Sequence, residues 1–435
     1  MSEIAPFALP QWIDSQGAGA SLPLAGSATP GLSVQDLIDL STDKETTTAN
    51  LASIQSLKMT LGSFSGGAQL RHQIAGLYNE TITADHIFPT HGTTGANALL
   101  FQSLLNPGDH VIAMYPCYTQ LISLPKAVPN VDVSYWKLDL DDQARPDINQ
   151  LKALIRPTTK LIVVNNPNNP TGTVLSKQTQ MEIVSIARSH NLTVLADEIF
   201  LALHHGVSDS KDAPLSFVDL PGPSPSTTAS PTSPLSASSP PYENIIITSS
   251  MSKAWGLSGL RIGWLATRNP TILSHCFNRG LYTIMALSNI DELIAAEALS
   301  DRCRPAIQAK HLELARRNLQ MLDAFVAKHK DVCSWARPVA GGTGFLRFRD
   351  GKTGEPVDDV EFCEVLVRQK GVLLAPGTKC FGIVGDVHLQ GSGMEDEGER
   401  LEMLRGFVRV HVTVDPVVME KGLAAIDEFV REQAQ

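Results

Sequence analysis

Hydrophobic positions along this chain come in short dense runs separated by longer amphipathic stretches. VIAMY, LIVVN, TVLAD and NIIIT are continuous apolar blocks that end in turn-forming residues. Runs of this length, rich in β-branched residues, predict buried strands at 110–114, 161–165, 193–197 and 244–248. Between them lie segments with apolar residues at three- and four-residue spacing. One is KQTQMEIVSIARSH, which predicts a helix over 177–190; another is the apolar run from Ala96 to Leu105. Strand–helix alternation predicts an α/β fold around a mostly parallel sheet. After about residue 290 the pattern becomes helical for some forty residues, with Pro305 expected to break or kink it. Further strands are expected near 345–348, 372–375 and 407–412.

One stretch departs from this pattern. Residues 208–241, SDSKDAPLSFVDLPGPSPSTTASPTSPLSASSPP, are rich in Ser, Pro and Thr. Such a composition predicts a surface insertion, partly disordered and dispensable for assembly, because it offers little apolar surface to bury.

Four segments carry candidate chemistry, and each also has an ordinary reading. In SSMSKAWGLSGLRIGW, Lys253 follows a strand, Ser250 and Arg261 are anion donors, and Gly256, Gly259 and Gly263 give backbone room to approach an anion. A lysine held there can act as a nucleophile toward an aldehyde, pointing to a Schiff base with pyridoxal phosphate; the ordinary reading is a solvated loop lysine. In PTHGTTGANALL, a strand leads into Gly92, Thr93 and Thr94 at a helix start, which is either an anion site or a Thr-rich cap. Tyr118 follows the next strand, where its ring would stack on a flat cofactor or pack in the core. In LIVVNNPNNPTG, Asn169 is either a donor to a ring oxygen or part of a turn. In TVLADEIF, Asp197 ends a buried strand, where α/β sheets bind ligands and where helix caps also occur.

In their order along the chain these segments resemble the fold type I pyridoxal-phosphate enzymes, specifically the class I/II aminotransferase superfamily, over roughly residues 30–430. The resemblance implies an aspartate aminotransferase-like α/β architecture: a large cofactor-binding domain at 45–290 and a smaller α+β domain from 1–44 and 291–435. It also implies roles. Lys253 matches the lysine that carries the cofactor, Asp197 the partner of the pyridine nitrogen, Asn169 that of the ring hydroxyl, and Tyr118 the stacking aromatic. Thr93, Thr94, Ser250 and Arg261 match the phosphate cradle. Arg409, in GFVRVHV, matches the arginine that grips the substrate carboxylate. A homodimer is the expected assembly.

Two positions depart from the pattern. Phe200 stands where many relatives carry a Tyr three residues after the Asp. Leu61 stands where many carry a Tyr five residues before the glycine of a GxxxLR segment, here Gly66 with Leu70 and Arg71. Capreomycidine-synthase-type cyclases look similar in several segments, including a Phe after the Asp. Aminotransferase, β-eliminating carbon–sulfur lyase and cyclase share every residue named, so all three stay open. The resemblance favours transamination, the commonest activity of the superfamily. A non-enzymatic regulator that senses pyridoxal phosphate would need a DNA-binding extension, and no basic one is visible.

Composition narrows the setting. The chain has 435 residues, 43% hydrophobic, and a net charge of −10, which argues against nucleic acid and anionic membranes as partners. Neither a secretory signal nor an apolar run of membrane-spanning length is visible. Six scattered cysteines (Cys117, Cys276, Cys303, Cys333, Cys363 and Cys380) form neither a disulfide framework nor a metal motif, so a cytoplasmic protein is expected. The twelve histidines show no metal-ligand spacing; His204–His205 is expected to be structural or exposed, and His91 to contact the cofactor or pack.

Overall fold

The expected strands assemble around the Asp197 strand. The computed structural model describes residues 4–206, 214–221, 240–383 and 393–433. Its main sheet has eight strands in the spatial order Ile87–His91, Ile262–Thr267, Ile245–Ser250, Thr193–Asp197, Thr159–Asn165, His110–Tyr115, Asp132–Asp139 and Arg145–Pro146. Four adjacent pairings are parallel; Ile262–Thr267 runs antiparallel to both its neighbours, and Arg145–Pro146 is an antiparallel edge. The central strands Thr193–Asp197 and Ile245–Ser250 are buried at every position, which is why they read as unbroken apolar runs. Two of the longer strands had no clear signal. Ile262–Thr267 carries Gly263 inside it, and Asp132–Asp139 mixes polar and apolar residues without clean alternation.

A second sheet has four antiparallel strands, Cys333–Trp335, Thr343–Phe348, Phe407–His411 and Ala375–Pro376 in spatial order. The strand expected at 372–375 is in fact two. Val372–Leu373 pairs in parallel with Leu22–Pro23, and Ala375–Pro376 pairs with the Arg409 strand. This arrangement ties the start of the chain to its C-terminal part.

Pro305 does not kink a helix; it starts one. It occupies the first turn of Arg304–Lys328, where its missing N–H costs nothing, and the preceding helix, Asn289–Ala298, has already ended. The helix expected from Ala96 begins earlier, at Gly92. Lys177–Ser189 matches its expected span and is capped by the Ser176 side chain on the N–H of Thr179.

The Ser/Pro-rich insertion needs a correction at 214–221. Phe217, Val218 and Leu220 are buried, and a single 3₁₀ turn, Phe217–Asp219, fixes them. The Phe217 N–H donates to Glu198 Oε1 at 2.7 Å, and Asp219 accepts from the Asn79 N–H at 2.9 Å. This LSFVDL piece is therefore part of the core, because three apolar side chains suffice locally even where the average composition is polar. The expectation for 207–213 and 222–239 lies outside the described residues.

Candidate active site

All the strand ends that matter lie on one edge of the main sheet. Asn165 and Asp197 are register partners at the carboxyl ends of neighbouring strands, and Asp197 is paired with Thr248 on its other side. Arg261 directly precedes the antiparallel strand, whose Gly263 pairs with both Thr90 and Ser250. The carboxyl edge of a parallel sheet is where loops leave the scaffold and ligands settle. A cavity of about 650 Å³ opens there. Lys253, Thr93, Thr94, Tyr118, Asn169, Asp197, Ser250, Arg261 and Arg409 all line it, so every site residue expected from the sequence meets in one place.

The floor is polar and buried. Asp197 is buried, accepts from the Asn97 amide at 3.3 Å and from the Ile199 N–H at 3.2 Å, and burial still pushes its pKa up to about 6. Lys253 is half-buried and opens on the cavity; its Nζ donates to Ser27 Oγ at 2.9 Å. Its pKa falls to about 8, chiefly through burial, with the guanidiniums of Arg409 and Arg261 adding to the drop and Asp197 opposing it. Burial likewise holds the Tyr118 phenol above its ordinary value. Arg409 is fully buried, donates from Nη1 to Asn169 Oδ1 at 3.1 Å and from Nη2 to the carbonyl of Ala25, and lies over the Phe381 ring.

At the other end, the chain gathers a helix start, hydroxyls and a guanidinium into a cradle. The helix Gly92–Leu104 begins without any side-chain cap, so its first N–H groups point into open space. Thr93 Oγ1 is buried and has no hydrogen-bond partner. Arg261 has φ 55° and is held by the carbonyl of Ser258 at 2.9 Å. Close packing here depends on two glycines. A Cβ on Gly92 would lie 2.7 Å from Arg261 Nη2, and one on Gly263 would lie 2.3 Å from the Gly92 carbonyl carbon. By contrast Gly259 faces open space and has no such role.

Several residues in the site gave little or no sequence signal. Asn165 lines the cavity, and its Oδ1 accepts from the Asn169 N–H at 2.8 Å; it was legible only as the first Asn of a turn. Asn97 reaches Asp197 from the helix that starts the cradle. Ser27 and His411 come from opposite ends of the chain, and nothing in AGSATPG marks Ser27 as a lysine partner. His411 is held by the carbonyl of Ala28 at 2.8 Å, and burial lowers its pKa to about 3, so it is neutral. Cys117 is buried beside Tyr118, its thiol pKa raised by burial, and it is not among the lining residues. His205 is buried against the carbonyl of Gly341 at 3.0 Å, which makes it structural. His91 is exposed at the helix start.

The two departures are also located. Phe200 is fully buried, lines the cavity, and packs on Gly341, where an added Cβ would lie 3.2 Å from its ring. Leu61 is 65% exposed and does not line the cavity.

The family model for aminotransferase class I and II matches residues 31–426. The chain belongs to this family. Among other members, this aminotransferase-family chain is 27% identical over 342 residues to capreomycidine synthase of Streptomyces vinaceus, covering 79% of this chain and 74% of that one. It is 26% identical over 373 residues to a putative aminotransferase of Bacillus subtilis, covering 82% and 86%. Among solved structures, a PLP-dependent aminotransferase from Streptococcus suis superposes with a TM-score of 0.80 at 28% identity, over 100% of this chain and 99% of that one.

Glu198, next to Asp197, supplies a prediction about stability. It is fully buried, and burial pushes its pKa up to about 8, with Asp219 and Asp197 adding to the rise while contacts from Ser216 and Phe217 oppose it. The folded state therefore keeps a proton that the unfolded state releases above the ordinary glutamate pKa of 4.5. Stability from this group is full below that value and is lost as pH rises toward 8, by up to about 1.4 kcal/mol per pH unit. Glu198→Gln retains an oxygen for the Phe217 N–H and has no proton to lose. Thermal melts from acid to mildly alkaline pH should show the wild type declining relative to the variant across this window. Parallel curves would refute the assignment.

Proposed function

We propose that this protein is a pyridoxal-phosphate-dependent aminotransferase acting on an amino acid. The observation that carries the reading is a single cavity faced by a lysine amine of lowered pKa, a buried carboxylate and a buried arginine. The residues fit the cofactor. The uncapped helix, the orphaned Thr93 hydroxyl and the glycine-opened space beside Arg261 suit a phosphate, with Thr94 and Ser250 beside them. Asp197 would hold the proton of a pyridine nitrogen, Asn169 would face the ring oxygen, and Tyr118 would cover the ring. When bound, the cofactor supplies an aldehyde that links to amines and a ring that draws electrons from the α-carbon.

The chain's own residues do the rest. Arg409 offers a planar pair of donors to the substrate α-carboxylate, and its fixed contacts with Asn169 and Ala25 set the orientation of that grip. Lys253 Nζ, once free, takes the α-proton; a pKa near 8 leaves a useful fraction of neutral amine at physiological pH. Ser27 Oγ holds that amine at the cavity wall.

Phe200 and the similarity to capreomycidine synthase support a second reading, a cyclase or β-eliminating lyase, because the phenyl ring offers the cofactor's oxygen no hydrogen bond. The test is stoichiometric. Holoenzyme mixed with a reactive amino acid and no keto acid should stop after one turnover, with the cofactor in its amine form. Continuous product release under those conditions would reject transamination in favour of the second reading.

A homodimer is part of this proposal. Met59, Leu61, Phe64, Tyr282 and Met285 are exposed, and the 57–66 segment is held against the 287–289 region by Asn289 Nδ2 on the Thr60 carbonyl at 3.0 Å. This clustering of large apolar side chains suits a self-complementary interface. Phe64→Glu with Leu61→Asp should yield a monomer by light scattering, whereas deletion of 222–239 should leave the dimer intact. A monomeric wild type would overturn the proposal. We assign 45–290 to the cofactor-holding part and 1–44 with 291–435 to the other, a division that limited proteolysis tests. No helix among the described residues is long and apolar enough to cross a membrane. The six cysteines are buried and unpaired, which suits a reducing cytoplasm, and cell fractionation tests that placement.

A further inference from the structure

The turn that carries Lys253 is held by its carbonyls. That of Lys253 accepts from the Thr29 N–H at 3.3 Å and from Thr29 Oγ1 at 2.6 Å. That of Gly256 accepts from the Leu32 N–H at 2.8 Å. Between them, the Ala254 carbonyl meets Nδ1 of His311 at 2.8 Å. A carbonyl can only accept, so Nδ1 carries the ring proton and donates it. His311 is fully buried, and burial lowers its pKa; the Ala254 bond opposes the drop and Lys310 adds to it. The ring is therefore neutral at physiological pH and serves as a fixed donor. It also packs on the turn. Gly256 has φ 67°, and a Cβ there would lie 3.0 Å from His311 Cε1 and 2.6 Å from the Pro30 carbonyl oxygen, so the turn approaches the ring this closely only as glycine.

His311 stands on the helix Arg304–Lys328, and other side chains of that helix hold other loops of the site. Gln308 Nε2 donates to the carbonyl of Ala202, two residues after Phe200, at 2.9 Å. Asn318 Nδ2 donates to the carbonyls of Val412 at 2.8 Å and Val414 at 2.7 Å, just beyond His411. His311 and Asn318 are seven residues apart, close to two helical turns, so both buried side chains share one face. A helix tied at three places leaves the Ala254 carbonyl little freedom. Its neighbour Lys253 is sensitive to placement, because burial and the charges of Arg409, Arg261 and Asp197 together set its pKa.

We propose that His311 is a positioning residue for Lys253: its Nδ1–H fixes the Ala254 carbonyl and, through it, the direction from which the lysine side chain enters the cavity. The proposal rests on the cofactor reading of the preceding subsection. Holoenzyme is titrated by its visible absorbance, and its dissociation constant for pyridoxal phosphate is measured. In His311→Phe, which keeps a flat ring and loses the donor, the titration midpoint should move by about half a pH unit or more. The dissociation constant should rise about tenfold. His311→Asn sets an amide N–H close to where Nδ1 sits and should restore both values to near wild type. His311→Gln carries its amide one methylene farther out and should show the same two changes at reduced size; it serves if the phenylalanine variant does not fold. Wild-type values in the phenylalanine variant, or in the glutamine variant in its place, would overturn the proposal. So would an asparagine variant as impaired as the phenylalanine one, which would assign the effect to the bulk of the ring. A weaker hold on the cofactor with an unmoved midpoint would overturn it too, leaving His311 a structural contribution only. If the wild type shows no visible absorbance with pyridoxal phosphate, the cofactor reading itself fails, and the positioning role with it.

Discussion

Lys253→Ala protein will be essentially inactive and will lose the visible absorbance of the wild type on dialysis. The argument starts from position. Among the described residues Lys253 is the only lysine lining the cavity, and its amine is held by Ser27. On the proposed reading, the substitution removes the covalent attachment and the base together. Loss of a general base alone costs about 10²–10⁴-fold, so kcat should fall by about 10⁴-fold or more. Borohydride treatment followed by peptide mass spectrometry should find the cofactor fixed to Lys253 in the wild type and to no lysine in the variant. An adduct elsewhere, with turnover retained, would sink the assignment. The same variant should keep its fold, because alanine at 253 preserves the carbonyl that accepts from Thr29 Oγ1 at 2.6 Å.

Arg409→Lys should have the second largest effect, and its signature is different. Lysine keeps the charge and loses the planar pair of donors. Arg409 is 1% exposed, so the Asn169 and Ala25 oxygens it serves would be left short of donors in a buried position. Truncating a buried, hydrogen-bonded charge costs about 2–5 kcal/mol, so kcat/KM should fall by roughly 30- to 4,000-fold. The loss should appear with α-amino acids and be much smaller with simple amines that have no carboxylate. An equal loss for both substrate types would mean that Arg409 supports the site's shape instead of gripping the carboxylate.

The parts of this molecule that were legible in the sequence are those that are local. Asp197 ends a continuous apolar strand, Asn169 and Lys253 follow one within four residues, and the 92–94 turn begins a helix, so a short window shows both the chemistry and the scaffold that aims it. Arg409 and Tyr118 needed the family resemblance, since an arginine in a strand and an aromatic after a turn are ordinary alone. Ser27 and His411 were not legible at all. Their positions are set by pairings such as Leu22 with Val372 and by the bond from the His411 N–H to the Leu24 carbonyl at 2.8 Å, contacts hundreds of residues apart in sequence. The buried LSFVDL turn was hidden for the opposite reason. Averaging over a polar insertion masked three apolar residues that one carboxylate and one 3₁₀ turn were enough to anchor. Pro305 was visible, but whether a proline breaks a helix or opens one depends on what precedes it.

The bonds that join the two ends of the chain have a mechanical consequence. Arg409 is tied to Ala25, His411 to Leu24 and Ala28, and the 8–17 helix to Leu374 through Trp12. These ties join Arg409 and the 8–17 helix, two parts of the cavity's lining, into one piece. Any tightening of the cavity must bring both onto a ligand in the same movement. A ligand that touches both then feels them jointly, so that weakening either contact loosens the other, and losses measured one at a time should not sum to the loss measured together.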